Sequence, residues 1–169
     1  MIFRMLNFNI RPVAADDKGW VDEFIAERWG GNFVVAHDVI YYPCELAGFV
    51  AEREGEKVGL VTYHLAEHSC EIVTIDSTRS NHGLGTALIE AVKTIAQNSG
   101  CTRLWLVTTN DNLHALRFYQ KRGFELVAVH RNAVTRSREL KPGIPLIGAD
   151  GIPIRDEIEL ELQFTKRPL

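Results

Sequence analysis

The fold class that this sequence predicts is a mixed α/β (α+β) domain with a parallel pair of strands inside a largely antiparallel sheet. Three consecutive β-rich runs, residues 46–53, 57–66 and 70–77, are joined by short turns, which makes a meander and not a βαβ opening. From residue 84 the apolar period changes from two to that of a helix, and two strand-helix-strand passages follow, which requires a parallel pair. The 169 residues, 46% hydrophobic and 24% charged, suit one folded domain spanning 1–169.

Residues 8–13 alternate as a strand does. Asp16 then opens a helix whose face carries Trp20, Val21, Phe24, Ile25 and Trp29, and Gly30-Gly31 stops it. Residues 32–45 mix Val, Tyr, His and Pro without a period and read as loop or short irregular structure, with Pro43 against a central strand. The link Glu54-Gly55-Glu56 makes the next two runs an antiparallel hairpin. After Gly83-Leu84-Gly85 the residues Leu84, Leu88, Ala91, Val92, Ile95 and Ala96 form one helical stripe, closed by Gly100. Residues 104–109 read as a buried strand, 112–122 as a helix closed by Gly123, and 124–130 as another strand. Residues 132–156, with Pro142, Pro145 and Pro153, read as a long connection with one helical turn and a small hairpin. Finally Ile158, Leu160, Leu162 and Phe164 alternate with Glu157, Glu159, Glu161 and Gln163 as a half-buried strand.

Composition excludes several classes of function. Nineteen basic against 22 acidic residues give a formal charge of −3, so no overall field draws nucleic acid or an anionic membrane. The three cysteines, Cys44, Cys70 and Cys101, form neither a CxxC pair nor a disulfide framework, as expected of a reducing cytoplasm. The first ten residues are too polar for a signal segment, and no run approaches the roughly 20 apolar residues that span a bilayer. His64, His68 and Cys70 share strand parity, but the turn between them breaks any single face, so no metal site is expected.

One junction has the makings of an anion cradle. Ile75, Asp76, Ser77, Thr78, Arg79, Ser80, Asn81, His82, Gly83, Leu84, Gly85 and Thr86 run from a strand into the long helix, where free backbone N–H groups and the helix dipole favour a phosphate. Glycine lets that backbone approach a diphosphate closely, and Arg79 and His82 add positive charge. The alternative is a tight turn that uses two glycines. A Walker loop is excluded because no GxxxxGK string occurs. A dinucleotide fingerprint is excluded because Leu88 stands where its third small residue belongs.

The same junction, followed by a strand and then by Asn112, Ala115, Phe118, Tyr119, Gly123 and Phe124 at their spacing, resembles the GNAT acyl-CoA N-acyltransferase superfamily. That family carries (Arg/Gln)-x-x-Gly-x-(Gly/Ala) and then Asn-x-x-Ala-x-x-(aliphatic or aromatic)-Tyr-x-x-x-Gly-Phe. The likeness covers about residues 71–129. It departs at Ser80, where the family has Arg or Gln, with Arg79 one residue earlier. The resemblance implies six or seven strands, a central splayed parallel pair and about four helices on both faces. It implies acetyl-CoA as cosubstrate, an amine acceptor of unidentified structure, no metal, and a possible homodimer. The splayed strands would be residues 71–77 and 104–109, with backbone near Ile75 and Asp76 facing the pantetheine and the acetyl oxygen.

Acyl transfer from a thioester to an amine needs a proton for the departing thiolate and a neutral amine. Tyr119, two helical turns after Asn112 and on the same face, is the candidate acid; otherwise it is a packed aromatic. Glu71, sharing strand parity with Val73 and Ile75, is the candidate base; the alternatives are a rim carboxylate at a strand end, Asp76, or no dedicated base. Asn112 caps its helix and reaches the CoA arm. Trp29, His37, Tyr41, Tyr42 and residues 132–156 are candidates for the acceptor side. Arg131, Arg136, Arg138 and Lys141 form a basic run, expected as a solvated face or as an attractor of an acidic acceptor or the CoA 3′-phosphate. Cys101 reads as a small buried hydrophobe. A non-catalytic acyl-CoA sensor on the same fold is the competing expectation, motivated by Ser80.

Overall fold

The computed structural model describes residues 8–78 and 83–164. The chain runs β1 (Asn9–Pro12), α1 (Lys18–Trp29), β2 (Val34–Ala36), β3 (Val39–Tyr41), β4 (Ala47–Arg53), β5 (Glu56–Ala66), β6 (Ser69–Ser77), α2 (Leu84–Asn98), β7 (Arg103–Thr109), α3 (Leu113–Gln120), β8 (Glu125–His130), α4 (Ala133–Leu140) and β9 (Glu157–Gln163). Seven strands form one sheet in the order β1-β4-β5-β6-β7-β9-β8, and β2 and β3 form a separate hairpin. The parallel pair expected from the crossings is β6 with β7. The second crossing creates no further pair, because β9 inserts antiparallel between β7 and β8. Residues remote in sequence supply that partner, so local pattern could not reveal it.

Each face of the sheet has its own apolar cluster. On one, Val21, Phe24 and Ile25 of α1 meet Val34, Val50, Leu60 and Val73. On the other, Leu84, Leu88, Ile89, Val92 and Ala96 of α2 and Tyr119 of α3 meet Val61, Ile72, Leu104, Leu106 and Leu160. The stripe spacing of α2 explains why it lies flat on the sheet: three or four apolar residues per two turns leave one continuous contact face.

Residues 32–45 are more ordered than their sequence suggests. A two-residue turn joins β2 to β3, and both turn residues, His37 (φ 39°) and Asp38 (φ 66°), are left-handed. Such a turn matches the twist of short antiparallel strands, but Gly or Asn-Gly usually announces it, and three-residue strands show no period. In residues 132–156 α4 has eight residues instead of a single turn, and the small expected hairpin is present, with the Ile154 N–H on the Leu146 carbonyl, the Gly148 N–H on the Ile152 carbonyl and a bridge between Ile147 and Pro153.

Polar contacts fix α1 and its following segment. Asp17, buried just before α1, takes hydrogen bonds from Arg11 Nη1 (2.6 Å), Arg11 Nη2 (3.0 Å) and the Ala14 N–H (2.8 Å), with Lys57 Nζ at 2.7 Å. At the other end Lys141 Nζ donates to the carbonyls of Trp29 and Phe33, both at 2.7 Å. The basic run is therefore not simply a solvated face. Lys141 is buried, and Arg138 donates to the carbonyls of Ile144, Pro145 and Ile154.

The Arg11 hydrogen bond, opposed by burial, holds the Asp17 carboxyl well below its ordinary value of 3.8. A lowered value places this stabilisation above the ordinary carboxylate range and removes it as pH falls through and below that range. Asp17→Asn should cost about 2 kcal/mol at neutral pH. Urea unfolding at about pH 7 and about pH 3 should show the gap between variant and wild type narrowing in acid.

Candidate active site

The parallel pair holds for only three rungs. Ser69 faces Arg103, Cys70 faces Leu104 and Glu71 faces Trp105, after which β6 and β7 separate. Each strand stays paired on its outer side, β6 with β5 as far as Ser77 and β7 with β9 as far as Thr109. The separation therefore opens a fixed slot whose two walls carry unpaired backbone donors and acceptors.

A cavity of about 440 Å³ fills this slot, within the usual range of ligand sites. Its walls are Ile72, Val73, Ile75, Asp76 and Ser77 from β6 with Leu106, Val107 and Thr108 from β7. One mouth is rimmed by Arg28 and Trp29 of α1, the other by Gly85, Asn112, Ala115, Phe118 and Tyr119. The cavity thus passes through the sheet from one face to the other.

β6 is bulged where it leaves its partner. Thr62 pairs with Thr74 but Tyr63 with Ile72, so Val73 is an extra residue. Sequence parity put Glu71, Val73 and Ile75 on one face, and the bulge overturns this. Val73 packs with the α1 cluster and Ile75 with the α2 cluster. An inserted residue shifts the alternation beyond it, and nothing in a run of β-branched residues marks the insertion.

The long helix starts at Leu84 with Gly83 as its cap residue at φ 73°, a conformation that glycine adopts without strain. Gly85 faces the cavity, and a Cβ there would lie 2.9 Å from Phe118 Cζ. Leu84 turns its side chain into the core, and the Thr86 hydroxyl accepts from Arg122 Nε (3.0 Å) and Nη2 (2.6 Å). Of the expected cradle, then, Gly83 and Gly85 present backbone with no side chain, while the side chains of Leu84 and Thr86 have internal partners. Arg79, Asn81 and His82, with Ser80, lie outside the described residues. Arg122 was missed in the sequence; its guanidinium lies 3.5 Å over the Phe118 ring and joins the end of α3 to the start of α2.

The structure brings Asn112 and Tyr119 to the same mouth. Asn112 Oδ1 accepts from the Ala115 N–H at 3.1 Å, a helix cap, while the residue still lines the cavity. Tyr119 is buried between Phe118 and Phe124, and its hydroxyl has no hydrogen-bond partner among the described residues. Burial raises its pKa, with Arg122 opposing, so the phenol stays protonated throughout the neutral range. Asp76 accepts from the Ser77 N–H at 2.7 Å and lies 3.7 Å from Arg28 Nε; burial raises its pKa too.

Glu71 is not a rim carboxylate. It is 3% exposed, beside the last rung, and accepts from His37 Nε2 at 2.7 Å and from the Tyr41 hydroxyl at 2.9 Å. The His37 ring also rests 5.3 Å from Trp105, and the His37 N–H donates to both carboxylate oxygens of Glu157 at 3.1 Å. The Glu71 hydrogen bond raises the His37 pKa above its ordinary 6.5, against burial, while burial raises that of Glu157. His37 and Tyr41, two of the acceptor-side candidates, thus meet at Glu71, and Trp29 borders the cavity. Tyr42 stacks on Phe33 and is exposed. Glu157 was read as a solvent-facing residue of an alternating strand. Among the described residues no group of three His, Cys, Asp or Glu side chains has the geometry to hold a metal, and no helix is long and apolar enough to cross a membrane.

The model of the acetyltransferase (GNAT) family matches residues 16–124. The chain is similar to the uncharacterized protein YdhI of Bacillus subtilis (strain 168), 44% identical over 142 residues, or 83% of this chain and 89% of YdhI. It is similar to the uncharacterized protein YxbD of the same organism, 42% identical over 158 residues, or 92% of this chain and 99% of YxbD. Its fold matches a GNAT family acetyltransferase from Elizabethkingia anophelis with acetyl-CoA bound, with TM-score 0.67 and 22% identity, covering 94% of this chain and 99% of that one.

Tyr41→Phe removes a donor from the buried Glu71 carboxylate and should cost about 1–3 kcal/mol. The exposed Tyr42→Phe should stay within about 0.5 kcal/mol of wild type. Urea unfolding of the two variants side by side tests whether the Glu71 cluster is as closed as its distances indicate.

Proposed function

Because the chain belongs to the GNAT acetyltransferase family, we propose that it is an N-acetyltransferase that moves acetyl from acetyl-CoA to a primary amine within a ternary complex. The observation that carries this reading is the slot between β6 and β7. It is closed at one end by Glu71 and Trp105, lined by unpaired backbone, and continuous with the start of α2.

The acyl-CoA arm lies in the slot as an additional strand, taking hydrogen bonds from backbone near Ile75 and Asp76. Its diphosphate sits at the α2 N-terminus over Gly83 and Gly85, with Ser77, Arg79, Asn81, His82 and the backbone of Leu84 and Thr86 around it. Asn112 orients the pantetheine. The amine enters from the α1 mouth, past Arg28 and Trp29.

Chemistry then divides between the two faces of the sheet. The amine nitrogen bonds to the thioester carbon, the C–S bond breaks, and the sulfur takes the proton of Tyr119, which solvent restores. A buried phenol holds its proton tightly, but the same desolvation raises the thiolate's affinity for it, so the transfer stays matched. Residues 1–169 act as one domain, in the cytoplasm, alone or as a homodimer, with no metal.

Calorimetry with acetyl-CoA, followed by an amine and peptide panel with thiol detection, tests the reading. Tyr119→Phe should keep acetyl-CoA affinity within about threefold and lower kcat by about 100-fold or more. A chain that binds acetyl-CoA but releases no thiol with any acceptor is a sensor and not an enzyme. Gly85→Ala should push against Phe118 and weaken acetyl-CoA binding by about tenfold, although alanine favours the helix by about 1 kcal/mol.

A further inference from the structure

We propose that the group taking the proton from the acceptor amine is His37, with Glu71 as the residue that positions it. The proposal rests on the transferase reading above and names the base within that site.

Three observations place the imidazole there. First, Glu71 and Trp105 form the last rung before the strands part, and the His37 ring touches both, with Nε2 2.7 Å from Glu71 Oε1 and ring centroids 5.3 Å apart on Trp105. The ring thus stands beside the rung that ends the pairing, two residues before Val73 and Val107, which line the cavity on either side. Second, both oxygens of Glu71 are taken, one by His37 and one by Tyr41. With a donor already on each oxygen and 3% of its surface exposed, this carboxylate is screened from an incoming amine. Third, a carboxylate at Nε2 requires the proton on Nε2, which leaves Nδ1 as the basic nitrogen, and Nδ1 has no hydrogen-bond partner among the described residues. The His37 side chain is 28% exposed, so the ring is not sealed inside the cluster.

The backbone fixes the ring as firmly as the carboxylate does. His37 is left-handed at φ 39°, an uncommon state for a side chain with a Cβ, and its N–H is gripped by both oxygens of Glu157. Strain of this kind persists where the surroundings determine the conformation. The arrangement is the oriented-base pattern in which a carboxylate sets tautomer and direction while imidazole moves the proton.

The step balances within one turnover. As the amine nitrogen bonds to the thioester carbon, its excess proton passes to Nδ1, giving an imidazolium facing Glu71. The C–S bond breaks, sulfur is protonated by Tyr119, and the imidazolium returns its proton to solvent while tyrosinate takes one. The charged and titratable groups around His37 are Glu71 on β6, Tyr41 on β3, His64 on β5 opposite Glu71, Glu157 on β9 with His130 beyond it, Asp38 paired to Arg136, and Arg103 across Trp105. Carboxylates dominate the near shell, so His37 titrates above an ordinary histidine and activity should rise with pH through that value.

Two measurements decide the matter. Nitrogen-15 NMR of the imidazole should show the Nε2–H form of His37 above its pKa in wild type, and loss of that preference in Glu71→Gln. An Nδ1–H form in wild type overturns the proposal, whatever the activity. In the amine panel, followed from about pH 6 to 9.5, His37→Ala should lower kcat/KM by about 100-fold with acetyl-CoA affinity unchanged, and imidazole should restore part of it. Glu71→Gln should move the acidic limb to lower pH, because it removes the interaction that raises His37. If His37→Ala keeps wild-type rate and limb while Glu71→Gln abolishes both, Glu71 is the base and the proposal fails. Wild type that binds acetyl-CoA and acetylates nothing brings down the transferase reading first, and this one with it.

Discussion

Everything in this molecule depends on where two parallel strands stop pairing. β6 and β7 share three rungs and then part, yet neither can swing back, since β5 and β9 hold their outer edges along the full length. Closing the slot would break one of those ladders. The unpaired backbone facing it would be costly if buried and dry, and it is tolerated because the cavity gives it access to solvent or ligand. The opening is thus a standing property of the sheet order and needs no motion to create it.

The two faces divide the work unequally. The α2–α3 face is built from residues close in sequence, and its side chains are aromatic and apolar around Tyr119. The α1 face is polar where it meets the slot, with Glu71, His37, Tyr41 and Glu157 linked by hydrogen bonds. A ligand reaching through the sheet would therefore meet a buried phenol on one side and a hydrogen-bonded, carboxylate-rich environment on the other. Low dielectric on both sides makes each of these groups count for more than it would in water.

How much of this was legible follows from how local each signal is. The meander, α2 and the strand at residues 157–163 announce themselves through period, and the glycine pair with Asn112 and Tyr119 through spacing. What escaped were features made by distant partners. β9 between β7 and β8 leaves no trace in either strand. The bulge at Val73 sits among residues that would suit either face. The His37-Asp38 turn lacks the glycine that usually marks its geometry, and its reason for existing is Glu157, 120 positions away. Lys141 looked like one of a basic cluster until its partners, the carbonyls of Trp29 and Phe33, were seen.

That remoteness sets an order of assembly. The strand-helix-strand unit from β6 through α3 closes over short loops, and its wall of the slot can condense as soon as its own residues are made. The opposite wall waits for ties spanning 108, 112 and 120 residues, two of them from Lys141 and one from Glu157. Loop-closure entropy delays such contacts, and during synthesis Glu157 emerges 120 residues after the His37 it holds. The hairpin bearing His37 is consequently the piece of the slot whose shape is settled by residues made long after it.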